Sequence, residues 1–195
     1  DKIVKCFGFN TNGQLGIGST SPKGKVSTDM GNNLAPVELG SGVNVESIHS
    51  SPNVYHTCAI ISTTQKMKCW GKGGNYQLGY GTSSDRGTSL ATMGENIPTI
   101  DLGTISTVKQ AALGERYTCA LRTDNVLKCW GENENGQLGI GTVIDVTSMG
   151  ESLVTTPVDS GSKLAKMISI GKDHTCVLLD DSVTLKCVGY NFNGQ

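Results

Sequence analysis

An all-β fold of repeated blades is predicted by three features of this 195-residue sequence. A Lys-Cys-Xaa-Gly stretch recurs at intervals of 63, 60 and 58 residues, counted between Cys6, Cys69, Cys129 and Cys187. Each interval contains short apolar runs bounded by glycine and asparagine, and no run has a helical periodicity of useful length. Four short antiparallel strands in a glycine-rich repeat of about 60 residues are typical of a β-propeller blade.

Three motifs keep the same order in each repeat. The first reads KCFGFNTNGQLGIGS, KCWGKGGNYQLGYGT, KCWGENENGQLGIGT and finally KCVGYNFNGQ; the second reads MGNNLAPVELG, MGENIPTIDLG and MGESLVTTPVDSG; the third reads VYHTCAI, RYTCALR and DHTCVLL. We therefore divide the chain into repeats at residues 6–68, 69–128 and 129–186, with 187–195 as the start of a further repeat. Because propellers typically close with about four to eight blades, we expect an incomplete propeller whose missing neighbours are further repeats or other copies.

The four strands of a blade are predicted in sequence order. KCWG is the first, QLGIG the second, PTIDLG the third, and VKQAALGERYTCALR the fourth, with a bend at Gly114. Asn-Gly pairs, which favour tight turns because glycine adopts positive φ, separate them at Asn12-Gly13, Asn135-Gly136 and Asn193-Gly194.

Six of the seven cysteines form three close pairs, namely Cys58 with Cys69, Cys119 with Cys129, and Cys176 with Cys187. On a β-hairpin the two members of a pair face one another, with a two-residue turn for the first and third pairs and a three-residue turn for the second. Facing positions lie about 4.5–5.5 Å apart at Cα, which is compatible with a disulfide. Buried free thiols are the alternative, since cysteine is often fully buried. Recurrence in every repeat favours disulfides and hence an extracellular or cell-surface location.

Zinc is the competing chemistry for the cysteines. Two repeats each offer three ligands, from His56, Cys58 and Cys69 and from His174, Cys176 and Cys187. The middle repeat has Tyr117 in place of the histidine, and a structural zinc site needs four ligands. We therefore predict no metal and no cofactor.

The glycine-rich motif does not fit a phosphate-binding loop, because it lacks the lysine and the helix that such a loop requires. It also recurs in every repeat, whereas a catalytic site is normally made once. We expect its glycines to permit positive φ and close packing, at Gly131, Gly136, Gly139 and Gly141.

The tryptophans and two of the histidines are expected to have structural rather than binding or catalytic roles. Trp70 and Trp130 are expected to fill the core rather than stack on a sugar or a base, since Phe7 and Val188 replace them in the flanking repeats. His56 and His174 share a repeat position with Tyr117 and are expected to lie at strand ends.

Charge and loop variation indicate the class of partner. The net charge is −1 and no stretch of five or more like charges occurs, which argues against nucleic acid and anionic membranes as partners. The apolar runs are too short to insert into a bilayer. Residues Ser19–Leu34, Thr82–Ile97 and Thr142–Leu153 vary between repeats, and loops on a rigid scaffold are the usual place of recognition.

The motif GENENGQLGIGT, followed by the PxxDLG and GxxH/YTCAL patterns, closely resembles the repeats of the regulator of chromosome condensation family. The resemblance covers essentially the whole chain and implies a propeller, usually of seven blades. The family includes a nuclear guanine-nucleotide exchange factor, ubiquitin-ligase accessory domains, photoreceptor proteins and secreted proteins. The cysteine before each tryptophan departs from the nuclear member, and no basic tail or GTPase-contacting insertion matches it, so its exchange activity is not carried over.

Together these features predict a non-enzymatic structural or protein-interaction module of a secreted or cell-surface protein, as part of an extracellular assembly. The expected partners are other protein chains or further repeats of the same chain, with a glycan as a further option. The alternatives are a guanine-nucleotide exchange regulator of a small GTPase, a glycan-binding propeller, and an enzyme whose carboxylates converge on the propeller channel.

Overall fold

The computed structural model describes residues 3–158 and 163–195 and confirms the all-β fold. These residues form three antiparallel sheets of three strands: β1 Val45–His49, β2 His56–Ile61 and β3 Met67–Gly71; β4 Val108–Leu113, β5 Tyr117–Arg122 and β6 Leu127–Gly131; β7 Ala165–Ile170, β8 His174–Leu179 and β9 Leu185–Gly189. The described segments before the first sheet and between the sheets also contain single-turn 3₁₀ helices, at Ser27–Asp29, Gly31–Asn33, Leu90–Thr92, Gly94–Asn96 and Gly150–Ser152.

The second and third strands of the first two sheets are the buried ones. Every residue of β2, β3 and β6 is buried, as are all residues of β5 except the last. Because these strands are covered on both faces, their sequences do not alternate between apolar and polar residues. Neighbouring sheets contact one another through β1, β4 and β7, so these strands line the inner side of the assembly, as expected for part of a propeller.

The predicted fourth strand, with its bend at Gly114, is two strands. Residues 114–116 form a tight turn between β4 and β5, in which the Gly114 amide donates to the Tyr117 carbonyl over 3.0 Å. The Tyr117 ring folds back over this turn, and a Cβ on Gly114 would lie 1.9 Å from the ring. Glycine at this point therefore permits a full reversal of the chain rather than a bend.

The predicted strands QLGIG and PTIDLG are not strands in the structure. QLGIG is a chain of turns, because the Gly136 and Gly139 amides bond to carbonyls three residues earlier. PTIDLG runs beside β3 and its equivalent in the third repeat runs beside β6, each held by isolated backbone hydrogen bonds, from Ile100 to Met67 at 2.8 Å and from Thr156 to Leu127 at 3.0 Å. In the first repeat the Val37 amide makes the corresponding bond to the Val4 carbonyl over 2.9 Å, and residues 159–161 of the third motif lie outside the described residues. A proline next to or near each donor lacks an N–H, which limits the ladder. The outer edges of the first and middle sheets therefore carry an extended segment in place of a fourth strand.

The hairpin turns agree with the sequence in the middle sheet only. Arg122 pairs with Val126 across a three-residue loop that contains Asn125 at φ 66°, as predicted. The other two hairpins have four-residue loops, 62–65 and 180–183, instead of two-residue turns. In both, the last residue of the middle strand bonds a residue five positions later, as the Ile61 amide does to the Lys66 carbonyl over 2.9 Å, so the four residues between them form the loop.

Candidate interaction site and the scaffold beneath it

The structure joins all three cysteine pairs as disulfides. Cys58 and Cys69, Cys119 and Cys129, and Cys176 and Cys187 are direct partners in their ladders, each with a Cα–Cα distance of 4.1 Å. Each disulfide closes the second and third strands of one sheet. The cross-links therefore strengthen the hairpins and do not connect one sheet with the next.

The sheets are joined instead by the QLG turns, each of which inserts beneath the following sheet. The Gln14 carbonyl accepts hydrogen bonds from Thr57 Oγ1 and Trp70 Nε1, both at 3.0 Å. The Gln77 carbonyl accepts the equivalent bonds from Thr118 Oγ1 at 2.8 Å and Trp130 Nε1 at 3.0 Å. We call each such contact between a sheet and the preceding repeat a seam.

The tryptophans fill the core as predicted, because a glycine makes room for each indole. Trp70 and Trp130 are fully buried. A Cβ on Gly79, at φ 76°, would lie 2.8 Å from Trp130 Nε1, and Gly16 has the same relation to Trp70. Phe7 is 64% exposed and Val188 40% exposed, so these two residues do not fill a core as the tryptophans do.

A second contact crosses the two seams that join one sheet to the next, at the first residue of the middle strand, where the sequence predicted a strand-end residue. His56 Nε2 lies 2.8 Å from Thr118 Oγ1, and the Tyr117 hydroxyl donates to the His174 carbonyl over 2.7 Å. Since the Thr118 hydroxyl donates to Gln77, it accepts from His56, which places the histidine proton on Nε2. His56 Nδ1 is buried without a partner, and burial lowers the pKa of His56 to about 3.

The second and third variable loops each contact the preceding repeat. Asn12 Nδ2 donates to Asp85 Oδ2 over 3.3 Å, and the backbones at Gly13 and Gly87 approach so closely that neither position has room for a Cβ. The Leu90 side chain covers Gly18, and the Gly150 amide donates to the Asp101 carbonyl over 3.0 Å. We define the three variable loops, residues 19–34, 82–97 and 142–153, as the rim.

Buried asparagine side chains fix the beginning of the loops. Asn133 accepts from the Leu138 amide over 2.9 Å and donates to the Thr142 and Ile144 carbonyls over 2.8 and 3.1 Å. Asn10 makes the corresponding contacts in the first repeat. Gly73 replaces asparagine in the middle repeat, and there Asp85 Oδ1 accepts from the Gly73 amide over 2.8 Å. The start of the rim is thus held by the buried scaffold.

The rim presents apolar side chains to solvent although its backbone is fixed. Leu90 is 66% exposed and Ile144 is 71% exposed, and Val26 and Val143 are also exposed. Exposed apolar groups on a pre-formed surface are typical of protein-binding sites. Sequence variation indicated the loops, whereas the exposure of these particular residues required the structure.

The inner face of the sheets is a weaker candidate. A cavity of about 240 Å³ lies between β1, β4 and β7, lined by residues such as Ile48, His49, Ala112 and Ser169, and its described lining contains no carboxylate. His49 Nε2 lies 2.9 Å from Ser47 Oγ, and burial lowers the pKa of His49. The cavity therefore offers a histidine but not the paired carboxylates on which the channel-enzyme alternative depends.

Within residues 3–158 and 163–195, no group of three or more histidine, cysteine, aspartate or glutamate side chains is placed to hold a metal ion. No helix in that part of the chain has the length and apolar character needed to cross a membrane.

Comparison with known proteins identifies the repeat. Two models of the regulator of chromosome condensation (RCC1) repeat match the chain, over residues 108–137 and 129–178. The ultraviolet-B receptor UVR8 of Arabidopsis thaliana is 29% identical over 180 residues, which are 92% of this chain and 36% of the receptor. This chain thus spans about a third of that relative.

Solved structures show the same fold at low identity. Human WBSCR16 is 20% identical with a TM-score of 0.72, over 99% of this chain and 44% of that chain. Prp20p of Saccharomyces cerevisiae is 22% identical with a TM-score of 0.63, over 82% of this chain and 34% of that chain. Sheets, seams and rim together define a repeat protein of the β-propeller class. The chain carries repeats of the regulator of chromosome condensation family, with a disulfide in each of three hairpins.

Proposed function

We propose that this chain is a non-enzymatic protein-interaction module of a secreted or cell-surface protein, and that it contributes to an extracellular assembly by binding other protein chains at its rim. One observation carries the proposal: the loops are held to a buried scaffold and to the preceding repeat, yet present Leu90 and Ile144 largely to solvent. A pre-organised apolar surface loses little conformational entropy on binding.

The relatives support a protein-binding role. The Saccharomyces cerevisiae structure is described together with the binding of Prp20p to Gsp1p and histones, and the Arabidopsis thaliana relative is a receptor. Both are regulators or receptors rather than enzymes. We transfer from them only the general role of presenting a binding surface, since the fold alone does not specify a partner.

The cysteines support the extracellular setting. Disulfides persist in oxidising compartments and are rare in the cytosol, where thiols are kept reduced. This chain closes three successive hairpins with disulfides. Detection of the native protein on intact cells or in the medium tests the setting, and a protein confined to the cytosol would exclude it.

The binding surface is tested by site-specific photo-cross-linking. A photoreactive residue placed at Leu90 or at Ile144 is expected to cross-link a partner protein in the native extracellular fraction. The matched control places the same group at Thr63, which is exposed at the closed end of the β2–β3 hairpin. Cross-links at Thr63 that equal or exceed those at Leu90 and Ile144 would contradict a rim-based site.

Nucleotide exchange on a small GTPase has no feature of the described surface in its favour. Trp70 and Trp130, the tryptophans that could have stacked on a glycan, are fully buried and bonded across the seams.

A further inference from the structure

The segment 4–8 has the sequence of a third strand but is not part of a sheet. KCFG here corresponds to KCWG in β3 and β6 and to KCVG in β9. Its outer edge already has the contacts of those strands: Gly8 bridges to Lys23 as Gly71 bridges to Arg86, and Val4 accepts from the Val37 amide. The segment therefore lies beside its outer neighbour in the same way as a third strand.

The inner edge of the segment faces a groove. Every residue of β3 is buried by its neighbours, whereas residues 4–8 alternate between exposed and half-buried. The groove has a volume of about 630 Å³, and its lining includes Cys6, Phe7, Ile48, Tyr55 and Thr57. In the three sheets, the corresponding edge of the third strand is occupied by β2, β5 or β8.

Thr57 marks the position at which a strand placed in this groove would contact the first sheet. The equivalent Thr118 and Thr175 hydroxyls bond to His56 and Tyr117, which are the first residues of the middle strand one sheet earlier. Thr57 has its contact with Gln14 but lies at the groove, where its hydroxyl oxygen faces the position of a further histidine or tyrosine. Thus the groove continues a seam that the chain already forms twice.

We propose that this groove binds one middle strand of another repeat of the same kind, with the sequence tyrosine or histidine, then Thr-Cys, then two small or aliphatic residues. The strand lies antiparallel to segment 4–8, with its cysteine opposite Cys6, its threonine opposite Phe7 and its first residue opposite Gly8. This register copies the pairing of Cys119 with Cys129 and of Tyr117 with Gly131. The site is separate from the rim, so the proposal stands apart from the proposed function.

Cys6 allows the bound strand to be trapped covalently. The structure pairs the other six cysteines, and burial raises the pKa of the Cys6 thiol. A peptide whose cysteine carries a thionitrobenzoate disulfide supplies the leaving group. The Cys6 thiolate attacks the peptide sulfur, a new S–S bond forms between Cys6 and the peptide, and thionitrobenzoate leaves with the electron pair of the broken S–S bond. The exchange is balanced without a further oxidant.

The test uses the 195-residue chain and two activated peptides of equal composition. One is RYTCALR, the sequence of residues 116–122; the other is RYCTALR, in which the threonine and cysteine are exchanged. Moving the cysteine by one position turns it to the other face of the strand. We expect RYTCALR to release thionitrobenzoate at least about tenfold faster at limiting peptide, equivalent to ~1.4 kcal/mol of binding free energy.

A matched variant separates groove binding from peptide reactivity. Cys6→Ser combined with Thr63→Cys places the only free thiol on the exposed β2–β3 turn, outside the groove lining, and there we expect equal rates for the two peptides. Equal rates for the unmodified chain would overturn the proposal, as would a covalent dimer through Cys6 as the main product. Failure of the rim cross-links would leave this result unaffected, so the two proposals fail separately.

Discussion

At the residue scale, Gly79 is required both for its backbone conformation and for the packing of two neighbouring repeats. Its φ of 76° disfavours any side chain, and a Cβ would also meet the Trp130 indole. We expect Gly79→Ala to lower the free energy of unfolding by about 2–4 kcal/mol, through backbone strain and overpacking together. Chemical denaturation measures the change.

Gly136→Ala is the matched control for that substitution. Gly136 has nearly the same φ, 71°, but no atom lies within 4 Å of its Cβ position. Only the conformational cost of about 1–2 kcal/mol applies there. Equal destabilisation by the two substitutions would show that the seam tolerates the extra methyl group.

His56 makes the seam between the first and middle sheets sensitive to acid. Its pKa is about 3 in the folded protein and near 6.5 in the unfolded chain, so the unfolded state binds more protons between these values. The contribution of neutral His56 to stability is complete above about pH 6.5. It falls by up to about 1.4 kcal/mol per pH unit as the pH decreases towards 3.

The variant His56→Tyr tests this account, because tyrosine occupies the same position in the next sheet. We expect its unfolding free energy to change less between pH 7 and pH 4 than that of the unmodified chain. Identical pH profiles would mean that other groups cause the acid sensitivity.

At the scale of elements, the strand pairing of the hairpins could be predicted from the sequence, because the signals for it are local. The cysteine spacing and the Thr-Cys-apolar pattern placed β5 opposite β6 in the observed register. The predicted length of the turn between β5 and β6 was correct, because Asn125 supplies a positive φ in a three-residue loop.

Other elements depended on tertiary contacts that no local pattern records. QLGYG at residues 77–81 alternates like a strand, but its Gln77 carbonyl and Gly79 are held by the next sheet, beneath Thr118 and Trp130. The reversal at Gly114 depends on the Tyr117 ring folding over it. The rim was indicated by variation in length and composition, whereas the contact of Leu90 with Gly18 joins two neighbouring repeats and is far from local in sequence.

The three disulfides should differ in how much their removal lowers the free energy of unfolding. Cys119 and Cys129 are fully buried, whereas Cys187 is exposed. We expect replacement of Cys119 and Cys129 by alanine to cost about 3 kcal/mol, from loop entropy and lost packing. Replacement of Cys176 and Cys187 should cost less, because little packing is lost there. Thermal unfolding of both double variants, with the unmodified chain as reference, measures the order; the reverse order would contradict it.

At the scale of the whole molecule, each sheet is supported mainly by its direct neighbours, as in other repeat proteins. The middle sheet has a neighbour on both sides, and all of β6 is buried. Most of β9 is exposed. We therefore expect backbone amides of β5 and β6 to exchange with deuterium more slowly than those of β8 and β9. Uniform protection across the three sheets would indicate that they unfold as one unit.

The central claim is a repeat scaffold whose hairpins are closed by disulfides in the native protein. Peptide mapping of native material, alkylated before digestion and without reduction, tests it most directly. The account predicts linked peptides joining Cys58 to Cys69, Cys119 to Cys129 and Cys176 to Cys187. Recovery of Cys119 and Cys129 as alkylated free thiols would contradict the disulfide-closed scaffold and the extracellular setting proposed from it.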